Sequence, residues 1–210
     1  MKQTIISVRR HEEKDGKHLS ENGKRNSFHL GLNLMGLIEA YHSPVPRSEE
    51  TVDGIIEGYR ARSGNEIKKI FEPKLDVIDC ESDYAKYGSD RDLLINTWME
   101  NFYENNGTMF QAGANVLKAA YEAINGRTFD DGSRLEFISH APNVESSILT
   151  LTDPRQKIED IGGSFAAGEG YEIFVTQVQG NVVYFEKINI REQRFDAPKV
   201  EKFLTTLYQR

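Results

Sequence analysis

The sequence predicts an α/β protein, specifically a three-layer α/β/α sandwich with a mostly parallel sheet and an inserted helical cap. Short β-rich runs alternate along the chain with longer segments whose apolar residues recur every three or four positions. Such alternation is typical of parallel sheets that are covered by helices on both faces. No repeat or low-complexity tract divides the 210 residues, so we expect a single domain over residues 1–210.

Strands and helices alternate in the first part of the chain. Strands are predicted at Thr4–Val8, at Ile38–Tyr41 and within Ile67–Ile78, and helices at Glu21–Leu34 and from the turn at residues 43–47 to about Arg62. Ser20 stands where its hydroxyl would cap the first helix. Pro73 interrupts the third strand, and because proline cannot donate to a sheet ladder, that strand is expected at an edge or with a bend.

The segment from about Glu81 to Asp131 differs from its surroundings because it is acidic and aromatic. It contains helical patterns at Asp90–Tyr103 and Met109–Ile124, and we interpret it as the cap inserted beside the sheet. The remaining predicted elements are a strand at Arg134–Ser139, a helix at Pro142–Leu151, a hairpin of Tyr171–Gln177 with Val182–Ile188, and a closing helix at Val200–Tyr208.

Composition excludes several classes of function. The net charge of -7 argues against a broad basic face for nucleic acid and against a polybasic membrane anchor, but it leaves room for a small basic pocket. The single cysteine, Cys80, rules out a disulfide within the chain and a cysteine zinc site. No signal peptide and no apolar run of about 18 residues is found, so the predicted location is the cytoplasm.

Charged and imidazole side chains follow two of the predicted strands. Arg9, Arg10 and His11 come directly after Val8, and His140 comes directly after Ser139. Ligands of open α/β sheets bind at the carboxyl ends of the strands. These residues are therefore the first candidates for a functional site.

Four sequence motifs resemble those of the histidine phosphatase superfamily, also called the phosphoglycerate mutase-like superfamily. The first strand of that family ends in Arg-His-Gly or Arg-His-Ala, often followed by Glu, and here the run is Val8-Arg9-Arg10-His11-Glu12-Glu13-Lys14. The next motifs are Leu-Thr-x-x-Gly, matched by Leu19-Ser20-Glu21-Asn22-Gly23, and Ser-Pro-x-x-Arg-x-x-x-Thr, matched by residues 43–51. The last is Ser-His, matched by Ser139-His140. The resemblance covers residues 4 to about 150.

The resemblance implies a phosphatase that needs no metal and no other cofactor. It implies that His11 becomes phosphorylated while Arg10, Arg47 and His140 hold the phosphoryl group. The residue types suit this chemistry, since guanidinium groups bind phosphate oxygens in a bidentate fork and a neutral imidazole nitrogen can attack phosphorus. The family often places an acidic proton donor after the third strand, where Asp79, Glu81 and Asp83 stand, and Glu81 is preferred here. Glu13 and Glu145 are interpreted instead as a loop pair and a helix-surface group.

Two departures from the family pattern keep alternatives open. Glu12 replaces the usual small residue, and a carboxylate there would repel phosphate unless it points away or pairs with Arg9 or Lys14. Together with the open choice of proton donor, this leaves an inactive phosphate-sensing or protein-binding module as one alternative. A phosphoglycerate mutase is another, although Lys14-Asp15-Gly16-Lys17 lacks the pattern usual after the histidine in mutases. The expected substrate is a small-molecule or phosphopeptide phosphoester.

Overall fold

A seven-stranded sheet forms the centre of the computed structural model, which describes residues 2–76, 93, 95–97, 108–152, 157–178, 181–191 and 193–196. The strands are β1 (Lys2–Arg10), β4 (Leu37–His42), β5 (Lys68–Phe71), β6 (Ser133–Ser139), β7 (Gly170–Val178), β8 (Asn181–Ile190) and β9 (Gln193–Asp196). Two shorter strands, β2 (Lys14–Asp15) and β3 (His18–Leu19), pair with each other. The four longest helices described are α1 (Glu21–Asn33), α2 (Pro46–Ser63), α3 (Thr108–Ile124) and α4 (Asn143–Leu151).

The sheet has a parallel half and an antiparallel half. Its strand order is β5-β4-β6-β1-β7-β8-β9. The first four strands are parallel to one another, whereas β7, β8 and β9 are each antiparallel to the strand before them. Strands β5, β4, β6, β1 and β8 therefore run in one direction. The predicted fold class, an α/β/α sandwich with a mostly parallel sheet, is confirmed.

Each face of the sheet has its own buried core. On one face, Leu37, Ala40 and Ile138 of the sheet pack with Val52 and Ile55 of α2. On the opposite face, the buried side chains of the strands pack with those of α3 and α4, as in the group Ile6, Val8, Phe137, Leu117 and Ile148. The two cores produce the three layers, and they hold the carboxyl ends of β1, β4 and β6 in fixed positions.

Helix α2 is held closely against α1 by glycines. A Cβ atom on Gly31 would lie 2.1 Å from the carbonyl oxygen of Ile55, and one on Gly58 would lie 2.0 Å from that of Phe28. Only glycine permits this approach of the two backbones. Because Arg47 lies in the first turn of α2, this contact also helps to fix the position of a predicted site residue.

Several boundaries differ from the predictions. The third strand ends at Phe71, and Pro73 begins a short 3-10 turn (Pro73–Leu75) instead of interrupting the strand; β5 does lie at the sheet edge, as expected. Helix α3 matches the predicted helix at 109–124, and its buried face belongs to the core of the sheet. Most of the remaining cap segment lies outside the described residues, as does the predicted helix at Val200–Tyr208. No helix in the described ranges is long and apolar enough to cross a membrane.

Candidate active site

The candidate site lies where three parallel strands end side by side. Strand β1 ends at Arg10, β4 at His42 and β6 at Ser139, so the next residues along the chain are His11, Ser43 and His140. The backbone N–H of His11 donates to the carbonyl oxygen of Ser139 at 3.0 Å, which continues the pairing of β1 with β6 by one residue. Residues far apart in sequence are thus brought to one edge of the sheet.

His11 is buried, with 3% of its surface exposed, and its tautomer follows from its two hydrogen bonds. Nδ1 lies 2.7 Å from the carbonyl oxygen of Glu12, which can only accept, so Nδ1 carries the proton. Nε2 then bears the lone pair, and it accepts a hydrogen bond of 2.8 Å from Nε of Arg47. The imidazole therefore has a nucleophilic nitrogen in contact with a guanidinium group.

His140 lies beside His11 in the same buried space. The centroids of the two rings are 5.1 Å apart and their planes are inclined by 58°. His140 is 1% exposed, and its Nε2 lies 2.6 Å from the hydroxyl oxygen of Ser43. The spacing leaves the rings close enough to contact one small ligand together.

Burial and positive charge keep both imidazoles neutral. Desolvation, helped by the charges of Arg47, Arg10 and Lys14, lowers the pKa of His11 to about 4 against the opposing effect of its bond to Glu12. Desolvation lowers the pKa of His140 to about 2, with further contributions from His11 and the same three cations. At neutral pH the site therefore combines neutral imidazoles with cationic side chains, as nucleophilic attack on a phosphoryl group requires.

The two arginines predicted to bind phosphate come from different elements. Arg47 lies in the first turn of α2 behind Pro46, and its carbonyl oxygen accepts a 2.8 Å hydrogen bond from the hydroxyl of Thr51. Arg10 ends β1, and its Nη1 donates to the carbonyl oxygen of Phe165 at 2.9 Å. Each guanidinium group thus donates to a neutral acceptor, Nε2 of His11 for Arg47 and the carbonyl oxygen of Phe165 for Arg10.

Solved structures share this architecture, although the sequence matches no family model and no curated protein. A phosphoglycerate mutase from Bacillus anthracis str. Sterne is 14% identical, with 86% of this chain and 91% of that chain covered and a TM-score of 0.53. The YhfR protein of Bacillus stearothermophilus is 15% identical, with 90% and 97% covered and a TM-score of 0.57. A mycobacterial glucosyl-3-phosphoglycerate phosphatase is 13% identical, with 86% and 92% covered and a TM-score of 0.54.

The chain has the histidine phosphatase fold. The resemblance stated from the sequence motifs is thus confirmed at the level of the fold.

Glu12, the residue that departs from the motif of the histidine phosphatase fold, has its carboxylate against Gly168. A Cβ atom on Gly168 would lie 2.1 Å from Oε1 of Glu12, and the φ of +75° at this residue favours glycine. The backbone of Glu13 and the side chain of Asn26 donate to the carboxylate, and burial raises its pKa above the ordinary value. These contacts are with residues other than the two arginines and two histidines of the site, so the carboxylate is held by its own set of partners.

The acidic residues considered as proton donors lie in different places. Asp79, Glu81 and Asp83 fall outside the described residues. Glu13 is exposed and accepts hydrogen bonds from Ser20 at 3.2 Å and Asn22 at 2.8 Å, which agrees with its interpretation as part of a loop pair.

The interpretation of Glu145 as a helix-surface group is wrong. Glu145 is fully buried, and its Oε1 accepts a 3.1 Å hydrogen bond from the backbone N–H of Phe165. Phe165 is also the residue whose carbonyl oxygen binds Arg10, so Glu145 helps to hold the loop on which Arg10 rests. No sequence pattern indicates this role, because Glu145 stands in a helix whose exposure depends on a distant loop. Among the described residues there is no group of three or more side chains that could hold a metal ion.

Proposed function

We propose that the protein is a phosphomonoesterase that needs no metal and forms a phosphohistidine on His11. The observation that supports this most strongly is the hydrogen bond between Nε2 of His11 and Nε of Arg47, beside the ring of His140. A lone pair, a permanent cation and a second imidazole share one small volume. The fold that the chain shares with a phosphatase and a mutase adds support. We propose that the chain is a member of their superfamily.

The proposed reaction has two steps, each a displacement at phosphorus. In the first, Nε2 of His11 attacks, the N–P bond forms and the bond from phosphorus to the leaving oxygen breaks. Glu81 is the proposed donor of the proton that this oxygen takes. In the second, water gives a proton to the carboxylate of Glu81 and attacks phosphorus, the N–P bond breaks, and inorganic phosphate leaves. Arg10, Arg47 and His140 hold the phosphoryl oxygens throughout and offset charge that develops on them.

Substrate binding must first release the nucleophile. The Nε–H of Arg47 donates to the lone pair of His11 that would attack phosphorus. A phosphoryl oxygen is a better acceptor for guanidinium than a neutral imidazole, because it is negatively charged and suits the planar fork. Binding of the phosphoester would therefore transfer the guanidinium from His11 to the substrate. The proposed substrate is a small-molecule or phosphopeptide phosphoester.

Hydrolysis of p-nitrophenyl phosphate in the presence of EDTA tests the proposal. The wild type is expected to release phosphate, and His11→Ala to lose at least about 10³-fold in kcat/KM. His29→Ala is the matched control, because His29 is an exposed histidine of α1, and it should keep full activity. Full activity in His11→Ala, or a strict need for a divalent metal, would refute the mechanism.

Two other outcomes would identify the alternatives. Tight binding of orthovanadate without turnover on a broad panel of phosphoesters would indicate a phosphate-binding module. Isomerisation of phosphoglycerate that depends on a bisphosphate primer would indicate a mutase. One of the solved structures with this fold is a phosphoglycerate mutase.

A further inference from the structure

The hydroxyl of Ser43 is fully buried between the backbone and the imidazole of His140. Its oxygen lies 3.3 Å from the backbone nitrogen of Val45, which can only donate, and 2.6 Å from Nε2 of His140. The backbone N–H of Ser43 in turn donates to the hydroxyl of Ser48 at 3.2 Å, which fixes the start of the turn after β4. The serine oxygen therefore accepts from Val45 and has one proton left to donate.

That single proton decides the tautomer of His140. If Ser43 donates it to Nε2, then Nε2 bears the lone pair and the ring proton is on Nδ1. The opposite tautomer would leave the hydroxyl proton of Ser43 unused and would put a bare lone pair on Nδ1. In the surroundings of Arg10, Arg47 and Lys14, which act on His140 electrostatically, an anion is the expected ligand, and a lone pair facing an anion is repulsive.

Nδ1 of His140 is a buried polar atom to which these hydrogen bonds give no partner. It has no hydrogen-bond partner within the described part of the chain, although the residue is 1% exposed. Buried N–H groups are normally satisfied, so one without a protein partner beside two arginines is suited to a ligand oxygen. Phosphoryl oxygen is the acceptor that fits the charge of the site.

We propose that Ser43 is a positioning residue that holds His140 in the Nδ1–H tautomer, so that Nδ1–H donates to a phosphoryl oxygen of the substrate. The proposal rests on the proposed function for the identity of the ligand, whereas the tautomer rests on the hydrogen bonds of Ser43 and on the cationic surroundings of His140. Ser43 acts through His140 and does not itself contact the substrate. This role explains why a serine begins the Ser-Pro-x-x-Arg motif. The resemblance of the motifs implies no function for that serine.

Nitrogen-15 NMR of histidine-labelled protein tests the tautomer directly, since protonated and unprotonated ring nitrogens differ widely in chemical shift. The wild type should show His140 protonated at Nδ1 only, and addition of inorganic phosphate should shift that nitrogen and its proton. Ser43→Ala should give a mixture of tautomers. Ser27→Ala is the matched control, because Ser27 is an equally buried serine whose hydroxyl donates to the carbonyl oxygen of Lys24, and it should leave His140 unchanged.

Kinetics supply the second readout. Ser43→Ala is expected to lower kcat by about 10- to 100-fold with a smaller change in KM, because one phosphoryl contact is lost mainly in the transition state. Ser43→Cys, which keeps the shape and a weak donor, should lie between Ala and the wild type. It also provides a folded variant if Ser43→Ala does not fold.

The outcomes separate this inference from the proposed function. A wild type with His140 protonated at Nε2, or a Ser43→Ala variant with an unchanged tautomer, would overturn the role of Ser43 even if hydrolysis is observed. An inactive wild type with the Nδ1–H tautomer and the phosphate-induced shift would refute phosphatase activity and support the role of Ser43 in binding phosphate.

Discussion

Arg9 and Arg10 are neighbours on β1 with different surroundings. Side chains alternate between the two faces of a strand, so the two guanidinium groups lie on opposite sides of the sheet. Arg9 pairs with the fully buried Glu136 at 3.1 Å and with Glu172 at 3.6 Å, and Arg134 bridges the same two carboxylates at 3.1 and 2.6 Å. Arg10 binds the neutral carbonyl oxygen of Phe165, and its charge acts on His11 and His140.

The difference shows how one residue type can stabilise the fold or serve a reaction. Two arginines and two glutamates on the first face give a network with no net charge. At the carboxyl ends of the parallel strands, the charges of Arg10 and Arg47 act on histidines that burial keeps neutral. We expect the Arg9 network to matter for stability, and the arginines beside the neutral histidines to matter for phosphate binding.

Replacing the two arginines separately gives the largest expected contrast. Arg10→Ala should lower kcat/KM by about 10³-fold, or about 4 kcal/mol of transition-state stabilisation, with little change in the free energy of unfolding. Arg9→Ala should do the reverse and lower the free energy of unfolding by about 2–3 kcal/mol, because it removes a partner of a buried carboxylate. Urea unfolding and hydrolysis kinetics on both variants measure this.

Each variant serves as the control for the other. If Arg9→Ala lost as much kcat/KM as Arg10→Ala at unchanged stability, the division between the two faces would be wrong. Glu172→Ala adds a check, because Glu172 belongs to the Arg9 network and is expected to affect stability only.

Acid should destabilise the fold through the neutral histidines of the site. Their folded pKa values, about 4 for His11 and about 2 for His140, lie below the ordinary value of 6.5. Below pH 6.5 these two histidines therefore bind protons in the unfolded chain but stay neutral in the folded chain. The free energy of unfolding is highest above pH 6.5 and falls as the pH decreases toward the folded pKa values. Between pH 7 and pH 5 we expect a loss of about 1–2 kcal/mol for each histidine.

Urea unfolding at pH 7 and pH 5 measures this loss. The double variant His11→Asn, His140→Asn should show a much flatter dependence on pH than the wild type, while His29→Ala should match the wild type because His29 is exposed. An equal loss in the double variant would show that other groups cause the acid sensitivity. The Arg9 network would then be the next region to test.

The sequence predicts the parallel half of the sheet well because local pattern and long-range placement agree there. Strands β1, β4 and β6 each contain buried apolar residues. The rule that ligands bind at strand ends then selects His11 and His140 without a structure. The motifs then add Arg47. The structure brings His11, Arg47 and His140 together, and their proposed roles await the experiments above.

The features that the sequence did not predict all depend on contacts without a local pattern. Strands β2 and β3 have two residues each, too few for alternation to be visible. The burial of Glu145 depends on Phe165, twenty residues away in an irregular loop. The bond between Ser43 and His140 joins residues 97 positions apart. Motif order indicates that such residues share a site, but only coordinates show which atoms meet.

Lys14 provides the smallest and most specific test of the cationic region. It stands in β2, and its positive charge lowers the pKa of both His11 and His140. Removing this exposed charge should weaken the attraction of a phosphoester dianion to the site. Lys14→Ala is therefore expected to reduce kcat/KM by about 3- to 10-fold at low salt, and by less at high salt because ions screen the interaction.

Lys17→Ala is the matched control, because Lys17 is an exposed lysine of the same hairpin, and it should have a smaller effect at either salt concentration. A loss in Lys14→Ala that does not depend on salt would indicate direct contact with the substrate, and equal losses in both variants would indicate attraction by the overall charge of the hairpin.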